Sequence, residues 1–147
     1  MKDQMIELHI PSRLGSEKLA MEQAAEEAKK MGFSDDRIDD LKTAVSEACT
    51  NAIEHGNKSD EQTAVSVTLT PADSSLTVTV EDQGEWSEEE FQKAMQRKPT
   101  LKECPQGPIK NSRGWGVFLI RKLVNEVSFE QKESGGKKLT MIIHLTQ

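Results

Sequence analysis

Two cysteines, Cys49 and Cys104, are all that this chain of 147 residues contains, too few for a disulfide framework. Cys49 sits in an alanine-rich helical stretch and reads as a small, reduced, buried filler. That usage fits a cytoplasmic protein. Basic residues are also in short supply. Nineteen Lys and Arg stand against 25 Asp and Glu, a formal charge of −6 with a pI near 5.2. A protein that binds nucleic acid directly presents a basic face, so the acidic balance argues against that class. Lys137-Lys138 and the stretch from Lys93 to Lys102 are the local concentrations of positive charge. No apolar run approaches the length of a membrane span. The opening M-K-D-Q-M-I-E lacks the apolar core of a signal peptide. Internal repeats, low-complexity tracts and a linker are missing too, so a single domain over residues 1–147 with one core is expected. A content of 35% hydrophobic and 30% charged residues is that of a soluble globular protein.

What is there is organised around one helix, expected from about Asp35 to Gly56. Leu41, Ala44, Val45, Ala48, Ala52 and Ile53 form its apolar stripe. Ser34 is placed to cap it, and Asp35 and Asp36 lie where the helix dipole favours anions. Glu47 and Asn51 are one turn apart on one face. Beside an apolar stripe such groups lose water and need partners. Their oxygens suit Mg2+, which takes few protein ligands and keeps waters and nucleotide phosphates. A carboxylate beside such a metal can take a proton from an incoming nucleophile. The commoner fate of a Glu and an Asn at this spacing is a solvated helix surface.

The remaining elements follow from periodicity. Met5 to Ile10 alternates as a strand, ended by Pro11. Leu14 to Met31 reads as an amphipathic helix with apolar marks at Leu19, Ala24, Ala25, Ala28 and Met31, stopped by Gly32. Thr63 to Thr70 and Leu76 to Val80 alternate as a hairpin around a turn at Pro71 to Ser75. Ser87 and Glu90 form a capping box for a short helix to about Arg97. Pro99 to Ser112 is irregular and long enough for a lid or for a plain connection. A helix opens at Gly114, and Val127 to Gln131 and Leu139 to Leu145 are strands joined at Gly135-Gly136.

Two further groups carry possible chemistry. Asp82 follows a strand, where a carboxylate can accept from an exocyclic amine, and Gly84 lets a flat ring approach the backbone. D-x-G is also an ordinary turn. Gly114 and Gly116 precede a helix, whose free N–H groups form an anion site. Their spacing is not that of a dinucleotide-binding or Walker loop.

The order of these pieces is more specific than any one of them. An E-x-x-x-N helix, a hairpin, D-x-G, a Pro/Gly-rich loop, a G-x-G helix and two strands around a glycine turn resemble the GHKL (Bergerat) ATP-binding fold of gyrase, histidine kinases and their relatives. Within it, S-E-A-C-T-N-A-I-E-H-G and R-G-W-G-V-F-L-I resemble the small anti-sigma factor serine/threonine kinases, over nearly the whole chain. The resemblance implies that Glu47 is the general base and that Asn51 binds the Mg2+ that bridges the ATP phosphates. It further implies that Asp82 holds the adenine amine, that Gly84 flanks the base, and that Arg113, Gly114 and Gly116 wrap the phosphates. His55 would border them, and residues from Trp86 to Ser112 would form the lid. Three positions depart from the family pattern: Trp86 and Ser112 stand where the boxes carry glycine, and Lys137 stands where a threonine near the adenine is usual.

The expected fold is therefore α+β, a two-layer sandwich with a mixed sheet of about five strands covered by about three helices. The expected function is an ATP- and Mg2+-dependent protein serine/threonine kinase of the anti-sigma, partner-switching kind. It would bind a sigma factor and phosphorylate an antagonist protein. The resemblance also implies a homodimer. The alternative is a nucleotide-gated protein-binding regulator of the same fold without catalysis.

Overall fold

A computed structural model describes residues 5–57, 60–84, 119–133 and 135–145. Strand β1 (Ile6–Pro11) leads to helix α1 (Glu17–Met31) and helix α2 (Asp35–Asn51). Strands β2 (Ala64–Pro71), β3 (Ser75–Glu81), β4 (Glu126–Gln131) and β5 (Lys137–His144) complete a five-stranded sheet in the order β1-β2-β3-β5-β4. Residues 119–123 are helical. The expected short helix from Ser87 to Arg97, the loop to Ser112 and the start of the helix at Gly114 fall outside the described residues.

Alternation explains the layering. Val65, Val67 and Leu69 on β2, Leu76, Val78 and Val80 on β3, and Leu139, Met141 and Ile143 on β5 are all buried. They face Leu41, Ala44, Val45, Ala48, Ala52 and Ile53, the stripe expected on the central helix, all of them buried too. The opposite sheet face carries mainly Ser, Thr and charged residues. Cys49 is buried among the core residues, and desolvation pushes its thiol up to about 12, with the charge of Glu17 adding to it. That is an unreactive filler, as its surroundings in the sequence suggest.

Three local expectations change. The sheet is antiparallel at every pairing among the described strands, not mixed. The long connection after β3 delivers β4 one place beyond its neighbour, and β5 folds back by hairpin into the gap between them. Helix α1 turns Ala20, Ala24 and Ala28 inward, while Leu19 stays 57% exposed. Small side chains let α1 and α2 approach closely, and Leu19 lies one position off that stripe. The central helix spans the expected range, but its last turn, Ala52–Gly56, is a π-helix. There the N–H of Asn57 donates to the carbonyl of Ala52 at 2.8 Å, five residues back. Both helix-end signals hold. Ser34 Oγ accepts from the Arg37 N–H at 3.3 Å. Gly32 adopts φ 96°, and Phe33 N–H closes the end of α1 on the Ala28 carbonyl at 3.1 Å.

Among the described residues, no helix is long and apolar enough to cross a membrane.

Candidate functional site

The π-turn that ends the central helix, the end of β3 and the start of β5 meet at Asp82. Its direction is set by the pleat. Asp82 is two residues beyond Val80, so it continues the inward series Leu76, Val78, Val80. Lys137 likewise precedes Leu139 in the inward series of β5. In the β3–β5 register Val80 faces Leu139 and Glu81 faces Lys138. Asp82 and Lys137 are the next step of that ladder, closed by the Asp82 N–H on the Lys137 carbonyl at 3.0 Å. Two charged side chains are thus delivered to the core side of the sheet, with Asp82 at 0% and Lys137 at 3% exposure.

The carboxylate is held on one side only. Asp82 Oδ1 accepts from the backbone N–H of Lys137 at 3.1 Å and of Gly84 at 3.2 Å. Oδ2 is buried and has no hydrogen-bond partner among the described residues. The Lys137 ammonium stands 3.6 Å from it, within ion-pair reach and beyond hydrogen-bond length, and lies 5.4 Å from the centre of the Phe129 ring. Burial raises the Asp82 pKa despite the opposing effects of the Lys137 charge and the backbone donors. Burial likewise lowers the Lys137 pKa against the pull of Asp82. A buried acceptor with an open lone pair is costly unless something donates to it.

Glycines make this convergence possible. A Cβ on Gly56 would overlap the Asp82 carboxyl, one on Gly84 would overlap the Gly56 carbonyl, and one on Gly136 would overlap the Asp82 carbonyl. Helix end, strand end and hairpin turn therefore touch through backbone. Asn57 locks them. Its Oδ1 accepts from the Gln83 N–H at 2.7 Å, and its Nδ2 donates to Ser12 Oγ at 2.9 Å and to the Ala64 carbonyl at 3.2 Å.

Glu47 and Asn51 lie on the helix that ends at this junction, both half-buried on the flank of its apolar stripe. Desolvation raises the Glu47 pKa, and the neighbouring Glu54 adds to the effect. A carboxyl poised above its ordinary range is what a general base requires. Among the described residues, no cluster of three or more His, Cys, Asp or Glu could hold a metal by itself. The structure thus brings Asp82 and Gly84 onto the end of the helix that carries Glu47 and Asn51. His55 belongs to the π-turn Ala52–Gly56, and its side chain lies outside the described residues. Arg113, Gly114 and Gly116 lie outside them as well. Asn57 was not expected in the site, and position 137 was marked only by the resemblance, as the place where a threonine near the adenine is usual. Asn57 had one signal, a polar residue directly after the helix-ending glycine. For Lys137 the signal was a charge at the first position of an inward-facing strand series.

Residues 10–143 match the family model of the histidine kinase-like ATPase domain. The chain belongs to that family. It is similar to the serine-protein kinase RsbW of Bacillus licheniformis, 38% identical over 104 residues that make up 68% of this chain and 61% of that protein. RsbW of Oceanobacillus iheyensis is 30% identical over 129 residues, 86% of this chain and 79% of the relative. The chain spans about three fifths of the length of the first of these relatives. Among solved structures, a chain of the SiaB–SiaC complex from Pseudomonas aeruginosa shares the fold at a TM-score of 0.71 and 14% identity, with 94% of this chain and 88% of that chain covered. The α+β sandwich is thus a fold already seen in a solved structure.

Proposed function

We propose that this chain is an ATP-dependent protein serine/threonine kinase of the partner-switching type. The observation that carries the reading is the buried Asp82 with an open Oδ2, set at the end of the helix that presents Glu47 and Asn51. A carboxylate oxygen with no donor among the described residues suits an exocyclic amine, and the glycine at 56 lets the helix end pack directly against it. The likeness to serine-protein kinases named RsbW supports the choice of acceptor. Asn51 would offer a carboxamide oxygen to Mg2+. When bound, that metal supplies neutralisation of the phosphate charge.

Glu47 then accepts the proton of a serine hydroxyl on the partner protein. The serine oxygen attacks the γ-phosphorus, the bond to the β–γ bridging oxygen breaks, and ADP leaves with that electron pair. Such transfer depends on positioning and charge stabilisation. Arg113, Gly114 and Gly116 wrap the phosphates in this reading, and His55 borders them. The partners are an antagonist protein that bears the acceptor serine and a sigma factor held inactive. The protein acts in the cytoplasm as a homodimer.

The test is transfer of label from γ-labelled ATP with Mg2+ to a candidate antagonist. Labelled phosphoserine that requires Mg2+ and forms roughly 10²- to 10⁴-fold more slowly in Glu47→Gln is the expected result. Tight Mg·ATP binding with no transfer to any such protein would refute the kinase and leave a nucleotide-gated regulator.

A further inference from the structure

Lys137 is a charged residue at 3% exposure that no part of the phosphate chemistry uses. A buried ammonium is costly unless paired, and one of its partners is the same carboxylate whose Oδ2 has no hydrogen bond among the described residues. A hydrophobic residue at this position would complete the inward series of β5 without that cost. The charge is placed where it can act on whatever meets Oδ2.

Two atoms then define the deep end of the site. Oδ2 can only accept, and Nζ can only donate. They stand 3.6 Å apart, on side chains held by neighbouring strands. The Watson–Crick edge of adenine has the complementary order, an amine that donates beside a ring nitrogen, N1, that accepts. An ammonium rotates about its stem, so it can turn one proton toward a ligand atom beside Oδ2 and keep its ion pair. Guanine in the same orientation would set a carbonyl oxygen against the carboxylate and an N–H against the ammonium. Gly136, immediately before Lys137, has φ 92°, and a Cβ there would overlap the Asp82 carbonyl; the Asp82 N–H bond to the Lys137 carbonyl at 3.0 Å holds the first residue of β5 beside Asp82.

We infer that Lys137 is a base-reading residue: its ammonium donates to N1 of adenine while Asp82 Oδ2 accepts from the adenine amine. This rests on the ATP-site reading above and adds to it a second, charged contact that determines base choice. The pair recognises an adenine edge by one acceptor and one donor.

The experiment uses calorimetry on the unmodified protein with Mg2+ and three nucleotides: ATP, its 1-deaza analogue, which lacks only the N1 acceptor, and GTP. Loss of one hydrogen bond to a charged group should weaken the 1-deaza analogue by about 10- to 100-fold, and GTP should compete poorly. In Lys137→Met, which keeps the length of the side chain and removes its donor, the gap between ATP and 1-deaza-ATP should shrink to under about 3-fold once circular dichroism shows the variant folded. Equal affinity of ATP and 1-deaza-ATP for the unmodified protein overturns the assignment and leaves the ATP site standing. A gap that persists in folded Lys137→Met also overturns it. No binding of Mg·ATP at all overturns the ATP-site reading and this inference together. If Lys137→Met fails to fold, the comparison of ligands on the unmodified protein still decides.

Discussion

Gly56→Ala is the substitution that most directly tests the junction. The added methyl would fall on the Asp82 carboxyl, and φ at Gly56 is not in the left-handed range, so the effect is steric. Two relaxations are open. Asp82 can rotate away and give up the Oδ1 bonds from Lys137 and Gly84 at 3.1 and 3.2 Å, each worth roughly 1.5–3 kcal/mol as a bond to a charged group. Alternatively the π-turn can shift, at about 1–3 kcal/mol for overpacking. That shift would strain the Asn57 bonds to Gln83 and Ser12 at 2.7 and 2.9 Å. The cheaper route still costs about 2–4 kcal/mol, which lowers Tm by about 5–15 °C at this chain length. The assay is thermal and urea unfolding followed by circular dichroism, beside Gly15→Ala. Gly15 has φ 103° and nothing within 4 Å of the new Cβ, so that control should lose only about 1–2 kcal/mol. The methyl on residue 56 also covers Oδ2, so ATP affinity should fall in Gly56→Ala and stay unchanged in Gly15→Ala. A Gly56→Ala protein within about 0.5 kcal/mol of the parent, with normal ATP affinity, would show that Asp82 is not locked and would refute the reasoning.

Other outcomes follow from the same site. Glu47→Gln should reduce phosphoryl transfer by roughly 10²- to 10⁴-fold with ATP affinity little changed, which quench-flow and calorimetry would separate; full activity would remove Glu47 from the chemistry. Asn51→Ala should weaken Mg·ATP binding by on the order of 1–3 kcal/mol without lowering Tm, and unchanged affinity would sink the metal role. Asp82→Asn should lose preference for ATP over GTP in competition, because the amide presents donors where the carboxylate only accepts. Transfer should rise with pH through a midpoint above the ordinary glutamate value, because the Glu47 pKa is raised. The stability sign is opposite. With a raised folded pKa the native state binds more protons than the unfolded chain, so stability falls as pH rises through that window. Glu47→Gln should therefore melt no lower than the parent at neutral pH, and a clear drop in Tm would contradict the raised pKa.

Much of the frame was readable in order along the chain. The α2 stripe from Leu41 to Ile53, the capping Ser34, the terminating Gly32 and the β2–β3 hairpin are local events. Each depends on periodicity or on the φ preference of one residue, so neighbours in sequence suffice to place them. Glu47 and Asn51 share a face for the same reason. The departures were non-local. Whether β4 or β5 sits beside β3 depends on where a connection of more than 40 residues lands, and no periodicity encodes that. Tertiary packing also selected Ala20, Ala24 and Ala28 over Leu19 as the buried face of α1, since close approach to α2 favours small side chains. It opened the last turn of the central helix into a π-turn. The pairing of Asp82 with Lys137 shows the difference most sharply. Alternation alone points each side chain inward on its own strand. Only the β3–β5 register sets the two side by side, because hydrogen-bonded ladders join residues 55 positions apart, and that long-range choice is made by the whole sheet.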